Sequence, residues 1–368
     1  MNGDVYVRDA EKKLDELREE ISQLDRQIVR LLDSRAKLAK EIGNVKRELG
    51  RPIVDPAREK EVYDKISEEK LNFLTKSQIH TIYKHVIASC KAVQLDKKRV
   101  ALLGPAGTFS EQAAKQYFSE TEADFIITKN IPDIFRKVKA EEVDYGVVPV
   151  ENSTYGSIPI TLDLLLETDL KVVGEIILRI KLNLIATREM DLSEIKTLLS
   201  HENPLGQCRK FIEENLPHVK IIETKSTSKA VELLSEYEDA AAIGTEIAAE
   251  LYNRVIISKG IEDNPNNFTR FFVIGYEETV ATGKDKTSIV FSVRHVPGAL
   301  LSALKAFSNR NINLTKLESR PSRLTPWEYY FYTDFEGHIT DPKVQEALTD
   351  LKQNTLFIKI LGSYPSNY

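Results

Sequence analysis

The chain has 368 residues, which at roughly 100–200 residues per domain predicts two or three domains. A hydrophobic fraction of 42% is ordinary for a globular protein, so each domain has apolar mass for a core. The net charge of −5 gives no electrostatic reason to expect nucleic acid, and no run of about 18 apolar residues exists to span a membrane.

The N-terminal stretch MNGDVYVRDAEKKLDELREE lacks the apolar segment of a signal peptide. The two cysteines, Cys90 and Cys208, stand in unrelated contexts, so no disulfide framework is expected and the cytoplasm is the expected compartment. Residues from about 9 to 95 read as helix, interrupted at Pro52 and Pro56, where a first long helix must end and a second begin. Leu14, Leu17, Ile21, Leu24, Ile28, Leu31, Leu38, Ile42, Val45 and Leu49 recur mainly at steps of three and four. A third helix, KSQIHTIYKHVIASCKAVQ, follows Thr75, and LDKKR (95–99) is a polar linker.

Arg35 and Lys46 interrupt the apolar stripe of the first helix, an arc about 140° wide. Eleven residues apart, they lie about 20° apart around the axis and about 16 Å along it. A buried cation needs a partner, because leaving it unpaired costs several kcal/mol. Either each pairs with a carboxylate on a neighbouring helix, or the two bridge a small anion. Arg18 lies near the edge of the same stripe but about 26 Å from Arg35, too far to share one small ligand along one straight helix. Two antiparallel copies would bring them together, and a single layer of three helices buries its stripe poorly alone. An intertwined homodimer, or a higher homo-oligomer built on it, is therefore expected.

LREEISQLDRQIVRLLDSRAKLAKEIGNVK, RPIVDPAREKEV and ASCKAVQ resemble the all-helical class of chorismate mutase, over essentially the whole segment from 10 to 95 within a domain of residues 1–95. The resemblance implies that Arg18 of the other chain, Arg35 and Arg58 clamp the two carboxylates of chorismate. It implies that Lys46 and Gln94 bond the ether oxygen, and that Glu59, with Asp55 nearby, holds the hydroxyl. Cys90 departs from the serine of some relatives. The rearrangement to prephenate is pericyclic and needs no nucleophile. It needs a compact dianion held in place and charge stabilised on the ether oxygen, for which guanidinium forks and a desolvated ammonium are suited.

From about 99 to 276, strand-type runs (RVALLG, ADFIIT, YGVVPV, LKVVGEIIL, KLNLIAT, VKIIET, AAAIG, TRFFVIG) alternate with amphipathic helical stretches. This predicts an α/β domain with a mostly parallel sheet, in two lobes with a cleft between them. VALLGPAGTFSEQAA is a strand, a glycine turn and a helix start, with Thr108 and Ser110 as candidate caps, and it is not a nucleotide-binding fingerprint. VVPVENSTYGSI puts Glu151 and Asn152 just past a strand, where ligands sit in open α/β sheets. LLSHENPLGQC offers Ser200, Asn203 and Gln207, and NNFTRFFVIG offers Thr269 and Arg270.

GPAGTFSE, VENST and TRF resemble prephenate dehydratase across 99–276, which implies a two-lobed fold similar to periplasmic binding proteins. HENPLGQC departs from the family form, in which His-Pro-Gln occupies the place of His201, Glu202 and Asn203. The implied reaction expels carbon dioxide and hydroxide from prephenate and is driven by aromatisation, so neither cofactor nor metal is expected. Thr269 is the candidate for assisting the leaving hydroxyl, Arg270 for a carboxylate and Phe271 for the ring. Asn152, Ser200 and Gln207 are candidate polar positioners.

Residues 285–368 open with TSIVFSV and follow a βαββαβ order, the ferredoxin-like pattern. Free N–H groups at a helix start after Pro297-Gly298 suit a carboxylate, and Glu318 suits an ammonium, which together describe a free amino acid. PGALL and ESRP resemble the phenylalanine-binding form of the ACT domain, implying a site made of Gly298, Ala299, Leu300, Glu318, Ser319, Arg320 and Pro321. The resemblances together imply a bifunctional enzyme of phenylalanine biosynthesis that phenylalanine inhibits. An amino-acid sensor without catalysis is the alternative of a different class. A mutase–dehydrogenase would need the dinucleotide fingerprint that is absent.

Overall fold

Helix α1 (Asn2–Glu48) is 47 residues long, about 70 Å at 1.5 Å per residue. It belongs to a computed structural model that describes residues 2–50, 56–94, 97–322 and 328–366 and divides into two units, Met1–Lys97 and Lys98–Tyr368. After α1 the chain turns at Gly50, whose φ of 62° suits glycine at a helix end. α2 (Pro56–Ser67) starts on a proline, tolerated where the first N–H has no partner. α3 (Lys76–Gln94) starts with a reciprocal cap: the Gln78 N–H donates to Thr75 Oγ1 at 3.3 Å, and the Thr75 N–H donates to Gln78 Oε1 at 2.9 Å. A Tyr63–His80 stack at 4.4 Å ties α2 to α3. Ala39, Ile87 and Cys90 are buried, whereas Leu17, Ile21, Leu24 and Ile28 are 48–58% exposed.

In the second unit the first lobe holds β1 (Lys98–Leu103), α4 (Phe109–Tyr117), β2 (Ala123–Thr128), α5 (Ile131–Lys139), β3 (Tyr145–Asn152), β4 (Gly156–Ser157), α6 (Pro159–Glu167) and β5 (Lys171–Arg179). The second lobe holds β6 (Asn183–Ala186), β7 (Thr197–Ser200), α7 (Glu202–Gln207), α8 (Arg209–Asn215), β8 (Lys220–Glu223), α9 (Thr227–Leu233), β9 (Ala240–Gly244), α10 (Glu246–Leu251) and β10 (Val255–Ser258). β11 (Phe268–Gly275) then returns to the first sheet, giving the order β2-β1-β3-β11-β5, and the second sheet runs β10-β6-β9-β7-β8.

The two lobes match expectation, but the sheets are mixed rather than mostly parallel. β11 lies antiparallel between β3 and β5 because β5 leaves the first lobe and β11 comes back into it. β6 likewise pairs antiparallel with β9 and β10. The expected strands omit β4, β7 and β10, which are two to four residues long.

The C-terminal domain consists of β12 (Asp285–Ser292), α11 (Ala299–Ser308), β13 (Leu314–Pro321), β14 (Tyr329–Glu336), α12 (Pro342–Gln353) and β15 (Phe357–Pro365), the βαββαβ order predicted. Its antiparallel sheet runs β13-β14-β12-β15, with Ile289, Phe291 and Phe335 packed under α11 and α12. Tyr332, Leu361 and Tyr364 join a core with Val148, Val150, Phe272 and Ile274 of the first lobe. The alternate residues Val147, Phe271 and Val273 face a different core that runs on into Leu184 and Ala241 of the second lobe. The central strands of the first lobe are therefore covered on both faces, with the other lobe on one side and the C-terminal domain on the other. Among the described residues, no helix is long and apolar enough to cross a membrane.

Candidate active sites

In the helical unit, a glycine brings two candidate residues to one place. A Cβ on Gly43 would lie 3.0 Å from the Gln94 carbonyl oxygen and 3.1 Å from its Cβ, so α1 and α3 meet there at backbone distance. Lys46 starts one helical turn beyond this contact, and Arg47 donates to the Gln94 carbonyl at 3.0 Å. Arg35, Lys46 and Gln94 are half-buried, and Arg18 is exposed beside Asp15 at 3.3 Å. Arg58 is exposed and bonds Glu61 at 2.5 Å. Asp55 and the Glu59 side chain lie outside the described residues. Cys90 is buried at the α1–α3 end of the unit and unpaired.

In the two-lobed domain, Asn152 and Thr269 are cross-strand partners. Asn152 Nδ2 donates to Thr269 Oγ1 at 2.9 Å and to Asn267 Oδ1 at 2.8 Å. Asn152 Oδ1 accepts the N–H groups of Thr154 and Tyr155 at 2.9 and 3.0 Å, so the amide's orientation is fixed by its own turn. The pairing depends on a β-bulge. Phe271 pairs with Pro149, but Arg270 pairs with Glu151, so β3 carries one extra residue, Val150, at this point. That residue reverses the alternation, and Asn152 turns to the Thr269 side instead of the C-terminal-domain side.

The turn of GPAGTFSE closes against the second lobe. Thr245 Oγ1 donates to the Gly107 carbonyl at 2.6 Å, and Ser228 donates to the Ala106 carbonyl. Gly107 has φ 78°, and a Cβ there would meet Ala248 at 3.0 Å, so both conformation and space require glycine. Thr108 occupies the cap position of α4, but its hydroxyl donates to the Leu103 carbonyl at 3.2 Å instead of capping the helix.

Several expectations change. Arg270 does not share Thr269's side of the sheet. It is held by Glu175 at 2.9 Å, by Asp334, and by the Tyr364 hydroxyl at 2.9 Å, with its side chain 11% exposed. Its carboxylate partners are the protein's own. Lys286 completes the cluster at 2.9 Å from Glu175, giving two cations and two anions in the interior. Burial alone would lower the Arg270 pKa, but Asp334, the Tyr364 hydroxyl and Glu175 outweigh it and hold the guanidinium above its ordinary range. Removing one member would leave an uncompensated buried charge, worth about 3–5 kcal/mol.

Phe271 is on Thr269's side but 2% exposed, packed in the core that joins the lobes, so it has no surface for a substrate ring here. Ser200 is fully buried and donates to the Ile243 carbonyl at 3.0 Å, a strand-to-strand contact and not a free positioner. Gln207 ends α7 half-buried, its carbonyl accepting the Asp263 N–H at 2.7 Å. In the departed motif, His201 caps α7 by accepting the Asn203 N–H at 3.3 Å, and Glu202 and Asn203 are exposed. Burial raises the Cys208 thiol pKa, which leaves it an apolar filler.

In the C-terminal domain, Gly298 (φ 81°) precedes α11, with Ala299 and Leu300 half-buried in its first turn. Lys316, Glu318 and Arg320 alternate with Leu317, Ser319 and Pro321 along β13. The charged set faces the first lobe: Lys316 meets Glu151 at 2.9 Å, Glu318 accepts from Ser157, and Arg320 meets Asp163 of α6 at 3.0 Å. Glu318 therefore has protein partners rather than an open place for an ammonium, while Ser319 and Pro321 lie exposed on the other side. The sequence reading passed over Glu175, Lys286 and Asp334. The signal was available for Glu175 and Asp334, each a charged residue inside a run of apolar and aromatic residues, the same anomaly that singled out Arg35, whereas Lys286 lies in the polar start of β12.

Family models match in chain order: chorismate mutase type II over residues 17–95, prephenate dehydratase over 100–279 and the ACT domain over 287–353. A bifunctional chorismate mutase/prephenate dehydratase of Aquifex aeolicus is 44% identical over 362 residues, covering 96% of this chain and 98% of the relative. That of Escherichia coli is 35% identical, covering 97% of each chain. Among solved structures, prephenate dehydratase of Arthrobacter aurescens in complex with L-Phe aligns at a TM-score of 0.67 with 33% identity, covering 73% of this chain and 90% of that one. The Staphylococcus aureus enzyme aligns at 0.65 with 31% identity, covering 73% and 99%. With the three domains in this order and relatives that match along nearly its whole length, the chain belongs to the family of bifunctional chorismate mutase/prephenate dehydratases.

Proposed function

We propose that the chain rearranges chorismate to prephenate among its helices and converts prephenate to phenylpyruvate at Asn152 and Thr269, with L-phenylalanine as inhibitor at the C-terminal domain. The Asn152–Thr269 contact carries the second step. Because Thr269 Oγ1 accepts from Asn152, the threonine's own proton is left to donate elsewhere. Directed at the ring hydroxyl of prephenate, it stabilises that oxygen as the ring C–O bond breaks and the oxygen leaves with the bonding pair. The carboxyl carbon's bonding electrons move into the ring, and carbon dioxide departs. A hydroxyl is a weak acid, so the assistance is a hydrogen bond that strengthens as negative charge builds. Gln207 is retained as a polar positioner. Ser200, Arg270 and Phe271 act by supporting the strands.

For the first step, Arg35, Lys46 and Gln94 form one chain's share of the site, with Arg58, Glu59 and Asp55 from the following segment. Arg18 comes from a second copy. The exposed run Leu17, Ile21, Leu24 and Ile28 supports this, since an unpartnered apolar stripe of this length marks an interface. The protein is thus a homodimer or a multiple of one. The two free, buried cysteines agree with a reducing cytoplasm. Phenylalanine binds at Gly298, Ala299 and Leu300 at the start of α11 together with the exposed Ser319 and Pro321 of β13, in line with the L-Phe complex of the Arthrobacter relative. The decisive assay supplies chorismate, then prephenate, with and without phenylalanine, and follows phenylpyruvate by its absorbance in alkali. Folded protein that forms none from prephenate would favour a sensor without catalysis.

A further inference from the structure

We propose that Glu151 and Arg270 are positioning residues that tie the Asn152–Thr269 pair to the C-terminal domain, through Lys316 and Asp334. The inference deepens the dehydratase reading and rests on it. On the two paired strands, adjacent cross-strand pairs do different work. Asn152 and Thr269 bond each other on one side of the sheet. Their neighbours Glu151 and Arg270, also paired with each other, lie on the opposite side. Glu151 meets Lys316 of β13 at 2.9 Å. Arg270 meets Asp334 of β14 and the Tyr364 hydroxyl of β15. Asn152 and Thr269 are thus each one peptide unit from a charge held by the C-terminal sheet.

The grip extends along the segment that follows Asn152. Lys316 also donates to Ser157 at 2.8 Å, and Arg320 holds Asp163. Tyr332 donates to the Leu162 carbonyl at 3.0 Å, and Lys359 donates to the Leu166 carbonyl at 2.6 Å at the end of α6. β13 is the edge strand of its sheet, so one of its sides faces this segment while Leu317 and Ser319 face outward. A ligand that shifts β13 by a fraction of an ångström changes the Lys316 contact first. Glu151 passes the change to Asn152 through the one peptide unit that separates them, next to the unpaired Val150 of the bulge. The differential contact is Lys316 with Glu151, at the β13–β14 edge.

The test uses the full-length protein with Lys316→Met and, separately, Asp334→Asn. Neither residue is in the dehydratase machinery. Five quantities are read: kcat and KM for prephenate, the phenylalanine concentration giving half-inhibition, phenylalanine binding by calorimetry, and the folded fraction by thermal unfolding. The expected result is kcat lowered several-fold at a KM within about twofold. Half-inhibition should need about tenfold more phenylalanine while its binding changes less than about threefold. Lys316→Arg should restore the parental values. Parental kcat and half-inhibition in folded Lys316→Met would overturn the proposal, as would losses that only track the unfolded fraction. If Asp334→Asn does not fold, Lys316→Met decides alone. If the parent binds no phenylalanine, the effector reading fails, and the kcat of the variants still decides the positioning role. If Thr269→Ala retains parental turnover, the dehydratase reading itself has failed.

Discussion

Asn152 Nδ2 and Thr269 Oγ1 stand 2.9 Å apart across two strands that belong to different passes of the chain through the first lobe. The contact fixes which way the threonine proton can point. Thr269→Ala should lower prephenate kcat by about 10²–10³-fold, the usual loss when one donor to a developing oxyanion is removed. Chorismate rearrangement should be unchanged. Thr269→Ser keeps the donor and should retain most activity. Equal loss of both activities would contradict separate sites.

Lys46 begins beside the Gly43–Gln94 contact. Lys46→Ala should abolish chorismate turnover and leave turnover of added prephenate intact, measured by chorismate consumption and phenylpyruvate formation. Gly43→Val should act similarly, since its side chain would force α1 and α3 apart where even a Cβ would lie 3.0 Å from backbone. A mutase that tolerates Gly43→Val would separate Gln94 from the site.

Complementation tests the shared site. Arg18→Ala and Arg35→Ala homodimers should each lack mutase activity. Random exchange of subunits makes about half the dimers mixed, each with one intact site of two, so about a quarter of parental activity should return. No recovery after subunit exchange, confirmed by mass, would place Arg18 and Arg35 in the same chain's site. Leu24→Asp should yield monomers by sedimentation and lose the mutase.

Gly107→Ala combines a positive φ with a close approach to Ala248. The φ penalty alone is about 1–2 kcal/mol. The thermal transition of the second unit should fall and prephenate turnover drop with it, while chorismate turnover holds. An unchanged transition temperature would mean that the turn opens freely from the second lobe.

The periodic features were legible. The three helices, the strands of five or more residues and the βαββαβ order all follow from apolar spacing, and Thr269 and Asn152 are singled out by the family resemblance of TRF and VENST beside strand ends. What could not be read was direction. TRF shows three consecutive residues, but only the pairing of β11 with β3 and β5 shows that Arg270 points away from Thr269 into Glu175 and Asp334. No local pattern announces the bulge at Val150, because it exists only relative to a strand more than a hundred residues distant. Glu318 and Arg320 looked like ligand groups for the same reason: the first lobe that engages them is remote in sequence.

The interior quartet of Glu175, Arg270, Lys286 and Asp334 has a bearing on how this chain can be cut. A truncation after β11 would remove Lys286 and Asp334 together, so the shorter protein keeps a formally neutral pair but exposes it to water along with Phe272 and Ile274. Such a fragment should be poorly soluble, and a swapped-in sensory domain would need a matching lysine and aspartate at those strand positions before anything else about it mattered.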